Sequence, residues 1–275
     1  MLSGIAARGS LTMALLFAAS VLFSGRMSGF DASQNSRDTS DPAKAWTAPG
    51  PATIPDGPLG DSIRFGLQVF DETPKYAPQY VGNKMSCGHC HIGSGTQAGA
   101  MPLVGVPGMF PLYRDREKTV VTFEERIEQC FQRSEHGYRV PNDSPIMVGL
   151  VAYAQWLSQD QMTGHPFPGR GLVKLPELSG DRDRGSQIYT QRCTVCHGAD
   201  GAGKTPTIPA VWGPDAYDAG AGMNDITKMA AFVQHNMPLN DPGSLTPQQA
   251  YDVSSYIHSK PHEPFDIKDH QARPR

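Results

Sequence analysis

Apolar side chains recur at helical spacing in a stretch that leads towards a pair of cysteines. In the segment "SIRFGLQVF" (62–70), Ile63, Leu67 and Phe70 fall on one face of a helix. A second short segment, "DRGSQIYTQ" (183–191), predicts another helix in front of a second pair of cysteines. The chain therefore repeats one plan, in which a helix is followed by a cysteine motif.

Both repeats also end in the same way. Ser144-Pro145 opens an apolar helix that reaches Leu157, with serine as the N-cap and proline at the first helical position. Thr246-Pro247 opens the segment "QQAYDVSSYI" by the same rule. The apolar positions that line these two helices are Ile146, Leu150, Tyr153 and Leu157 in the first and Val253, Tyr256 and Ile257 in the second. This repeated order predicts two homologous α-helical domains.

Composition indicates what lies between and around these repeats. The chain has 29 Gly and 24 Pro, which favours short helices joined by ordered loops. Polar Pro/Gly-rich segments precede the first repeat and separate it from the second. We expect a signal peptide at residues 1–28 and a flexible linker or strap at 29–58. A first helical domain is expected at 59–162 and a linker at 163–177. A second helical domain is expected at 178–265, followed by a tail at 266–275.

The N-terminus has the features of an export signal. Arg8 precedes the apolar run "LTMALLFAASVLF" (11–23), whose 13 residues are few for a membrane span and typical of a signal peptide. We therefore expect a periplasmic protein without stable membrane insertion. A net charge of −3 and a pI near 6.3 give no support for a nucleic-acid partner.

The paired cysteines indicate a cofactor. Both stand in the pattern Cys-x-x-Cys-His, which attaches c-type haem through two thioethers and places the histidine below the iron. A disulfide or redox pair would not need the histidine, and a four-cysteine zinc site would join pairs that lie far apart in the chain. We expect two covalently bound c-type haems, held by Cys87, Cys90 and His91 and by Cys193, Cys196 and His197. The expected fold is mainly α, with two tandem class I cytochrome c-like helical domains.

A sixth iron ligand is expected in each domain. In the second domain, Met237 lies 40 residues after His197 and 9 before Thr246. Small cytochromes often place their methionine ligand in such a loop before the terminal helix, where it raises the reduction potential. The competing residues for this position are Met223, Met229, His235 and Lys228.

The first domain departs from this pattern. Met101 and Met109 follow His91 by only 10 and 18 residues, which is short for a chain that must pass around the porphyrin edge. Met147 lies inside the predicted terminal helix. None of these methionines has the position that Met237 has in the second domain.

The matching stretch of the first domain, "RIEQCFQRSEHG" (126–137), offers Cys130 and His136 instead. A His/His site would be an ordinary low-potential electron-transfer haem. A Cys130 thiolate would lower the potential further, and the metal would keep the thiol occupied. A third interpretation is an inert buried cysteine, since Thr122 and Glu125 predict a capping box for a helix that includes it.

Arginines are dense around Cys130. Five of them lie in one stretch: Arg114, Arg116, Arg126, Arg133 and Arg139. Acidic residues are frequent there as well, so surface ion pairs explain several of these arginines. Arginine also suits the planar, bidentate recognition of oxyanions, and Arg133 and Ser134 follow Cys130 closely. A sulfur atom, an iron and oxyanion receptors together suggest chemistry on an anionic sulfur compound.

At this point the chain resembles a known family, the dihaem thiosulfate dehydrogenases that form tetrathionate. The resemblance runs from about Trp46 to Ile257. It rests on the segments "VGNKMSCGHCH", "YRDR", "RIEQCFQRSEHG", "CTVCHG" and "NMPL". The stretch around Cys130 is the specific part, because a Cys-x-x-Cys-His motif alone indicates only haem.

The resemblance implies roles for particular residues. It implies His/Cys ligation at the first haem, with Cys130 as both ligand and active-site sulfur. Arg116, Arg133 and Ser134 match positions that the family uses around its substrate. Some members use a lysine next to the methionine at the second haem, and this chain has Asn236 there, so Met237 is expected to act alone.

The implied reaction joins two thiosulfate ions into tetrathionate and releases two electrons. The expected partners are thiosulfate or tetrathionate and a periplasmic electron acceptor such as another cytochrome c. Three alternatives stay open: a non-catalytic dihaem electron carrier, a cytochrome that holds a sulfur chain on cysteine for partner enzymes, and the same enzyme acting as a tetrathionate reductase.

Overall fold

The computed structural model describes residues 47–272. The predicted signal peptide and most of the predicted first linker lie outside the described residues. The helices of the described part are α1 (Pro58–Asp71), α2 (Thr73–Tyr76), α3 (Cys87–Cys90), α4 (Ile92–Gly95), α5 (Phe123–Arg133), α6 (Pro145–Leu157), α7 (Arg182–Arg192), α8 (Thr194–His197), α9 (Ile226–Asn236) and α10 (Pro247–His258). Within residues 47–272, every helix is too short or too polar to cross a membrane.

The first domain is built around the contact between α1 and α6. Ile63 and Phe70 of α1 are buried together with Leu150 of α6, as the apolar spacing predicts. The two helices approach closely at Gly66, where an added Cβ would lie 1.9 Å from the carbonyl oxygen of Gly149. A side chain at residue 66 would therefore push the helices apart and open the core.

The second domain repeats this arrangement with α7 and α10. Tyr189 of α7 and Val253 and Ile257 of α10 are buried in one cluster. The close approach is again at a glycine, since a Cβ on Gly185 would lie 2.0 Å from the carbonyl oxygen of Asp252. The two domains thus use the same device to bring their first and last helices together.

The predicted starts of the terminal helices are confirmed. The Ser144 side chain accepts a hydrogen bond from the Met147 amide at 3.2 Å. Thr246 and Gln249 form a reciprocal capping box, with bonds of 3.2 and 2.8 Å. Each cap satisfies backbone donors that a helix leaves without a partner in its first turn.

A small hairpin precedes α5. Strand β1 (Leu112–Arg114) pairs antiparallel with β2 (Thr119–Val121). Its turn carries Arg116 and Glu117, and the chain then enters α5 through the predicted Thr122–Glu125 capping box, which is present. The hairpin was not expected from the sequence, and it places the turn arginine beside the helix of Cys130.

The two domains are joined by specific contacts. The Asn83 side chain donates to the carbonyl oxygens of Ser134 at 3.0 Å and Ala216 at 2.8 Å. Asn236 is fully buried and donates to the Gly99 carbonyl at 3.3 Å. These buried amide groups link the loop after α5 and the first haem motif to the second domain.

Candidate active site

The first Cys-x-x-Cys-His motif lines a cavity. Cys87 and Cys90 lie at the ends of α3, and both line the cavity together with His91. His91 Nδ1 is hydrogen-bonded to the carbonyl oxygen of Met101. This bond fixes the ring through Nδ1, as the supporting hydrogen bonds of metal-ligating histidines do.

The second motif has the same internal geometry. His197 ends α8, and its Nδ1 is 3.0 Å from the carbonyl oxygen of Pro209. Burial lowers the pKa of His197, which favours the neutral imidazole that binds iron. Both motifs therefore present two thiols and one oriented ring, and these donor sets fit covalently attached haem.

Helix α5 brings Cys130 to the cavity of the first motif. Cys130 lines this cavity with His91, and the His91 ring hydrogen-bonds to the Cys130 sulfur. Arg126, one turn earlier on the helix, donates from Nη1 to the same sulfur at 3.0 Å. The two candidate iron ligands of the first domain, His91 and Cys130, therefore lie in one cavity.

The charge on this sulfur follows from its neighbours. Burial raises the pKa of the Cys130 thiol, but the Arg126 charge and the hydrogen bonds from His91 and Arg126 outweigh burial and lower the pKa to about 6. The thiolate is the form that acts as a nucleophile and as a metal ligand. Cys130 is thus a thiolate at neutral pH, unlike Cys90, whose pKa burial raises to about 12.

Three of the four alternatives to Cys130 lie outside this cavity, and the fourth, Met101, lines it. His136 turns to the second domain, where its Nδ1 is 3.0 Å from Asp218 Oδ2. Met101 lines the cavity, but its carbonyl group holds the His91 ring. Met147 is fully buried in the α6 core, and Met109 lies in the short 3-10 turn Pro107–Met109.

Several arginines surround the cavity. Arg114 and Arg126 line it, and so does Arg170 from the predicted linker between the domains. Glu117 lies between two arginines, with an oxygen 3.6 Å from Arg114 Nε and another 3.9 Å from Arg133 Nη2. The cavity therefore has an excess of positive charge beside the Cys130 sulfur.

The predicted substrate residues fall into two groups. Ser134 lines the cavity itself. Arg116 and Arg133 lie at the domain interface next to it, where Arg116 donates to the Gly220 carbonyl at 2.7 Å. Arg139 belongs to neither group, because it forms an ion pair with Glu128 at 2.8 Å.

Sequence reasoning missed two residues of the cavity. Arg170 was assigned to a linker, although the flanking glycines in "PGRG" are typical of backbone that packs closely. Glu135 directly follows Ser134 and is 2 % exposed, and burial raises its pKa to about 8. A raised pKa favours the protonated carboxyl group of Glu135, which can offer an O–H group to the cavity that it lines.

The second domain surrounds its motif with apolar side chains. Met237, at the end of α9, packs in the same cluster as Cys193. Of its competitors, Lys228 pairs with Asp225 at 2.8 Å, and the Met229 sulfur lies 3.9 Å from the Tyr217 hydroxyl. These contacts engage Lys228 and Met229 elsewhere, while Met223 and His235 stay alternatives to Met237 as the sixth ligand.

Comparison with family models gives the class of each domain. Residues 76–162 match the family "SoxA/TsdA, cytochrome c domain", and residues 183–260 match the family "Cytochrome c". Two tandem, mainly helical cytochrome c domains therefore make up most of the chain. The protein is a two-domain cytochrome of the c type, a class that carries haem and transports electrons.

Comparison with whole proteins is more specific. Thiosulfate dehydrogenase of Allochromatium vinosum is 40% identical over 234 residues, which cover 82% of this chain and 87% of that protein. Thiosulfate dehydrogenase of Stutzerimonas stutzeri is 39% identical over 77% of this chain and 71% of its own length. The chain belongs to the thiosulfate dehydrogenase family.

A solved structure shares the fold. The thiosulfate dehydrogenase TsdBA from Marichromatium purpuratum, in its as-isolated form, superposes with a TM-score of 0.75 and 36% identity. The match covers 78% of this chain and 48% of the solved one, so this chain spans about half the length of that protein.

Proposed function

We propose that this protein oxidises two thiosulfate ions to one tetrathionate ion in its first domain and transfers the two electrons through its second domain to an external acceptor. In this proposal two covalent haems are held by the two Cys-x-x-Cys-His motifs. His91 and Cys130 would bind the iron of the first haem, and His197 and Met237 would bind that of the second. Bound haem supplies an acceptor for one electron at a time.

The convergence of His91, Cys130 and Arg126 in one cavity is the observation that carries this proposal. A plain electron carrier needs two iron ligands and no cationic side chains beside them. Here the sulfur faces a cavity with cationic walls, and Arg126 holds it as a thiolate. Such a sulfur has the properties of a nucleophile as well as those of a ligand.

The arginines give the cavity its preference for anions. Each thiosulfate carries two negative charges, and two of them repel each other strongly in a site of low dielectric constant. Arg114, Arg126 and Arg170 line the cavity, and Arg116 and Arg133 lie beside it. These five guanidinium groups offset the charge, and each can bind an oxyanion through two N–H groups.

The proposed reaction takes place at the Cys130 sulfur, where one S–S bond forms and is then broken. The outer sulfur of the first thiosulfate forms an S–S bond with the Cys130 thiolate, and this step releases two electrons. The second thiosulfate attacks the thiosulfate-derived sulfur, which breaks the bond to Cys130. Tetrathionate leaves, and the Cys130 thiolate is restored. Ser134 and Glu135 line the same cavity and can donate hydrogen bonds to the sulfonate oxygens.

The same proposal includes a location and a partner. The N-terminal segment has the pattern of an export signal, and covalent haem attachment is a feature of periplasmic cytochromes. We therefore place the protein in the periplasm, with another cytochrome c as its electron acceptor.

Replacement of Cys130 by alanine tests the proposal. Thiosulfate-dependent reduction of an acceptor cytochrome should fall by about a thousandfold or more, because both the nucleophile and the ligand are lost. Mass spectrometry should still show two attached haems, since the other four cysteines hold them. The first haem should also lose its thiolate spectrum.

Two results would contradict the proposal. Near-normal thiosulfate oxidation by Cys130→Ala would make Cys130 a packing residue and the protein an electron carrier. A wild-type mass with fewer than two haems would reject the cofactor assignment.

A further inference from the structure

The C-terminal segment continues past α10 and returns to the first domain. Residues 261–271, here called the C-terminal strap, first run along the loop that contains Gly213 and Ala219. The Gly213 amide donates to the Pro261 carbonyl at 2.8 Å, and the Ala219 amide donates to the Glu263 carbonyl at 2.9 Å. The strap is therefore bound to the second domain along its first half.

The far end of the strap is fixed to the end of α5. Gln132 donates to the His270 carbonyl at 2.9 Å, and the His270 ring binds the Gly137 carbonyl through Nδ1 at 2.7 Å. His270 is 6 % exposed, and its ring lies 4.8 Å from that of His136. Since His136 also binds Asp218, the strap closes a cluster that joins both domains.

Phe265 lies between these two anchors, beside the predicted substrate arginines. Its ring stacks on His270 at 4.8 Å, and the guanidinium carbon of Arg133 lies 5.1 Å from the ring centroid. The ring also packs on Gly220, where an added Cβ would meet it at 2.3 Å. The Gly220 carbonyl in turn accepts a hydrogen bond from Arg116.

Other contacts of Arg133 hold it loosely. Its ion pair with Glu117 is long, at 3.9 Å, and its buried Nε has no hydrogen-bond partner within residues 47–272. An aromatic face attracts a guanidinium group without occupying its N–H donors. Contact with Phe265 can therefore fix the plane of Arg133 and leave its donors free for an anion.

We infer that Phe265 is a positioning residue that holds Arg133, and through Gly220 also Arg116, in the orientation that binds the sulfonate groups of thiosulfate. The C-terminal strap of the second domain thereby completes the anion site of the first. This inference rests on the proposed function. It assigns a role in substrate binding to a segment outside both haem motifs.

The test uses the full-length protein with both haems. Phe265→Leu keeps an apolar side chain and removes the aromatic face, so KM for thiosulfate should rise about fivefold while kcat changes by less than about twofold. Phe265→Tyr keeps the ring and should retain KM near the wild-type value. Haem spectra of both variants should equal that of the wild type.

Two further variants separate positioning from general stability. His262→Ala removes another stacked ring of the strap, which lies on Tyr217 at 4.7 Å and not on Arg133, so its KM should stay unchanged. In an Arg133→Ala background, Phe265→Leu should raise KM by less than about twofold, because only its smaller effect through Gly220 and Arg116 is left. Equal KM increases for Phe265→Leu and His262→Ala, or full additivity with Arg133→Ala, would overturn the inference.

The inference and the proposed function fail in different ways. If the wild type oxidises thiosulfate and Phe265→Leu keeps its KM, the inference is wrong and the function stands. If the wild type does not oxidise thiosulfate, the function is wrong, and calorimetric binding of thiosulfate to the oxidised protein decides the inference. An equal Kd for the wild type and Phe265→Leu would then overturn it.

Discussion

The two domains share a scaffold and differ in what surrounds their haem motifs. In both, a first helix packs on a terminal helix at a glycine, Gly66 or Gly185, and a proximal histidine is oriented by a backbone carbonyl. In the first domain, His91 shares its cavity with a cysteine that is held by an arginine. In the second, methionines and aromatic rings pack around the motif.

In the proposed function, this difference corresponds to two tasks of one fold, thiosulfate oxidation in the first domain and electron transfer in the second. An electron-transfer site needs a stable ligand and a well-packed apolar shell, which change little when the iron changes charge. A site for thiosulfate needs space, positive charge and a reactive sulfur, which are costly to bury without compensation. The first domain receives part of this compensation from the second, because Gly220 accepts a hydrogen bond from Arg116 and Phe265 of the strap contacts Arg133.

The difference between the two domains can be tested first by removing the cation beside Cys130. Arg126→Gln keeps a side chain of similar length but removes the charge that lowers the pKa of Cys130. We expect kcat/KM for thiosulfate to fall about thirtyfold. The loss of a charge-assisted hydrogen bond makes the thiolate form of Cys130 less stable relative to the thiol. Steady-state rates at neutral pH measure this effect.

Arg139→Gln is the matched control for this prediction. Arg139 lies on the same part of the chain but pairs with Glu128, so its loss should change kcat/KM by less than about twofold. Equal losses in the two variants would show that net charge, and not the contact with Cys130, determines the rate.

The second test changes the proposed iron ligand of the second domain. Met237→Ala should alter the spectrum of the second haem and lower its reduction potential, since a methionine ligand raises the potential. Reduction of an acceptor cytochrome should slow about tenfold because a second haem of lower potential accepts electrons from the first domain less favourably. Thiosulfate binding should stay unchanged, and rapid-mixing spectroscopy separates these two steps.

Met229→Leu provides the control, because leucine keeps the volume of this 5 % exposed residue and removes its sulfur. Its haem spectrum should equal that of the wild type. A changed spectrum in Met229→Leu, together with a normal one in Met237→Ala, would transfer the ligand assignment to Met229.

Local features of the fold could be predicted from the sequence. Helix starts at Thr122, Ser144 and Thr246 were correct because a cap depends on residues three positions apart. The haem motifs were recognisable for the same reason, since five neighbouring residues supply their chemistry. The position of Met237 and the role of Cys130 as ligand stay predictions.

Contacts between distant segments could not be predicted. The bond between His136 and Asp218 joins residues 82 positions apart, and Gln132 and His270 are 138 apart. The residues of the predicted tail contain no pattern that shows where they dock. Arg170 was hidden by the glycines and prolines that made its segment resemble a linker.

The smallest effect on turnover should come from the helix pair of the second domain. Burial alone would raise the pKa of Asp252, but hydrogen bonds from Arg184 and from the Asp181 amide outweigh burial and hold the pKa below its ordinary value. A carboxylate with a lowered pKa stabilises the folded state at neutral pH, and this contribution is lost as the pH falls through the folded-state pKa.

Asp252→Asn should therefore leave kcat unchanged and lower the free energy of unfolding by about 2 kcal/mol at pH 7, because a buried charge-assisted bond is lost. Thermal unfolding followed at the haem absorption measures this change. The difference from the wild type should shrink as the pH falls below the ordinary pKa of 3.8, where Asp252 of the unfolded state takes up its proton, and should be lost below the folded-state pKa. Asp241→Asn, whose carboxylate pairs with Arg192 at 62% exposure, should cost less than about 0.5 kcal/mol. Equal costs for the two variants would show that the α7–α10 contact does not depend on its buried ion pair, and the stability of the second domain would then rest on its apolar core alone.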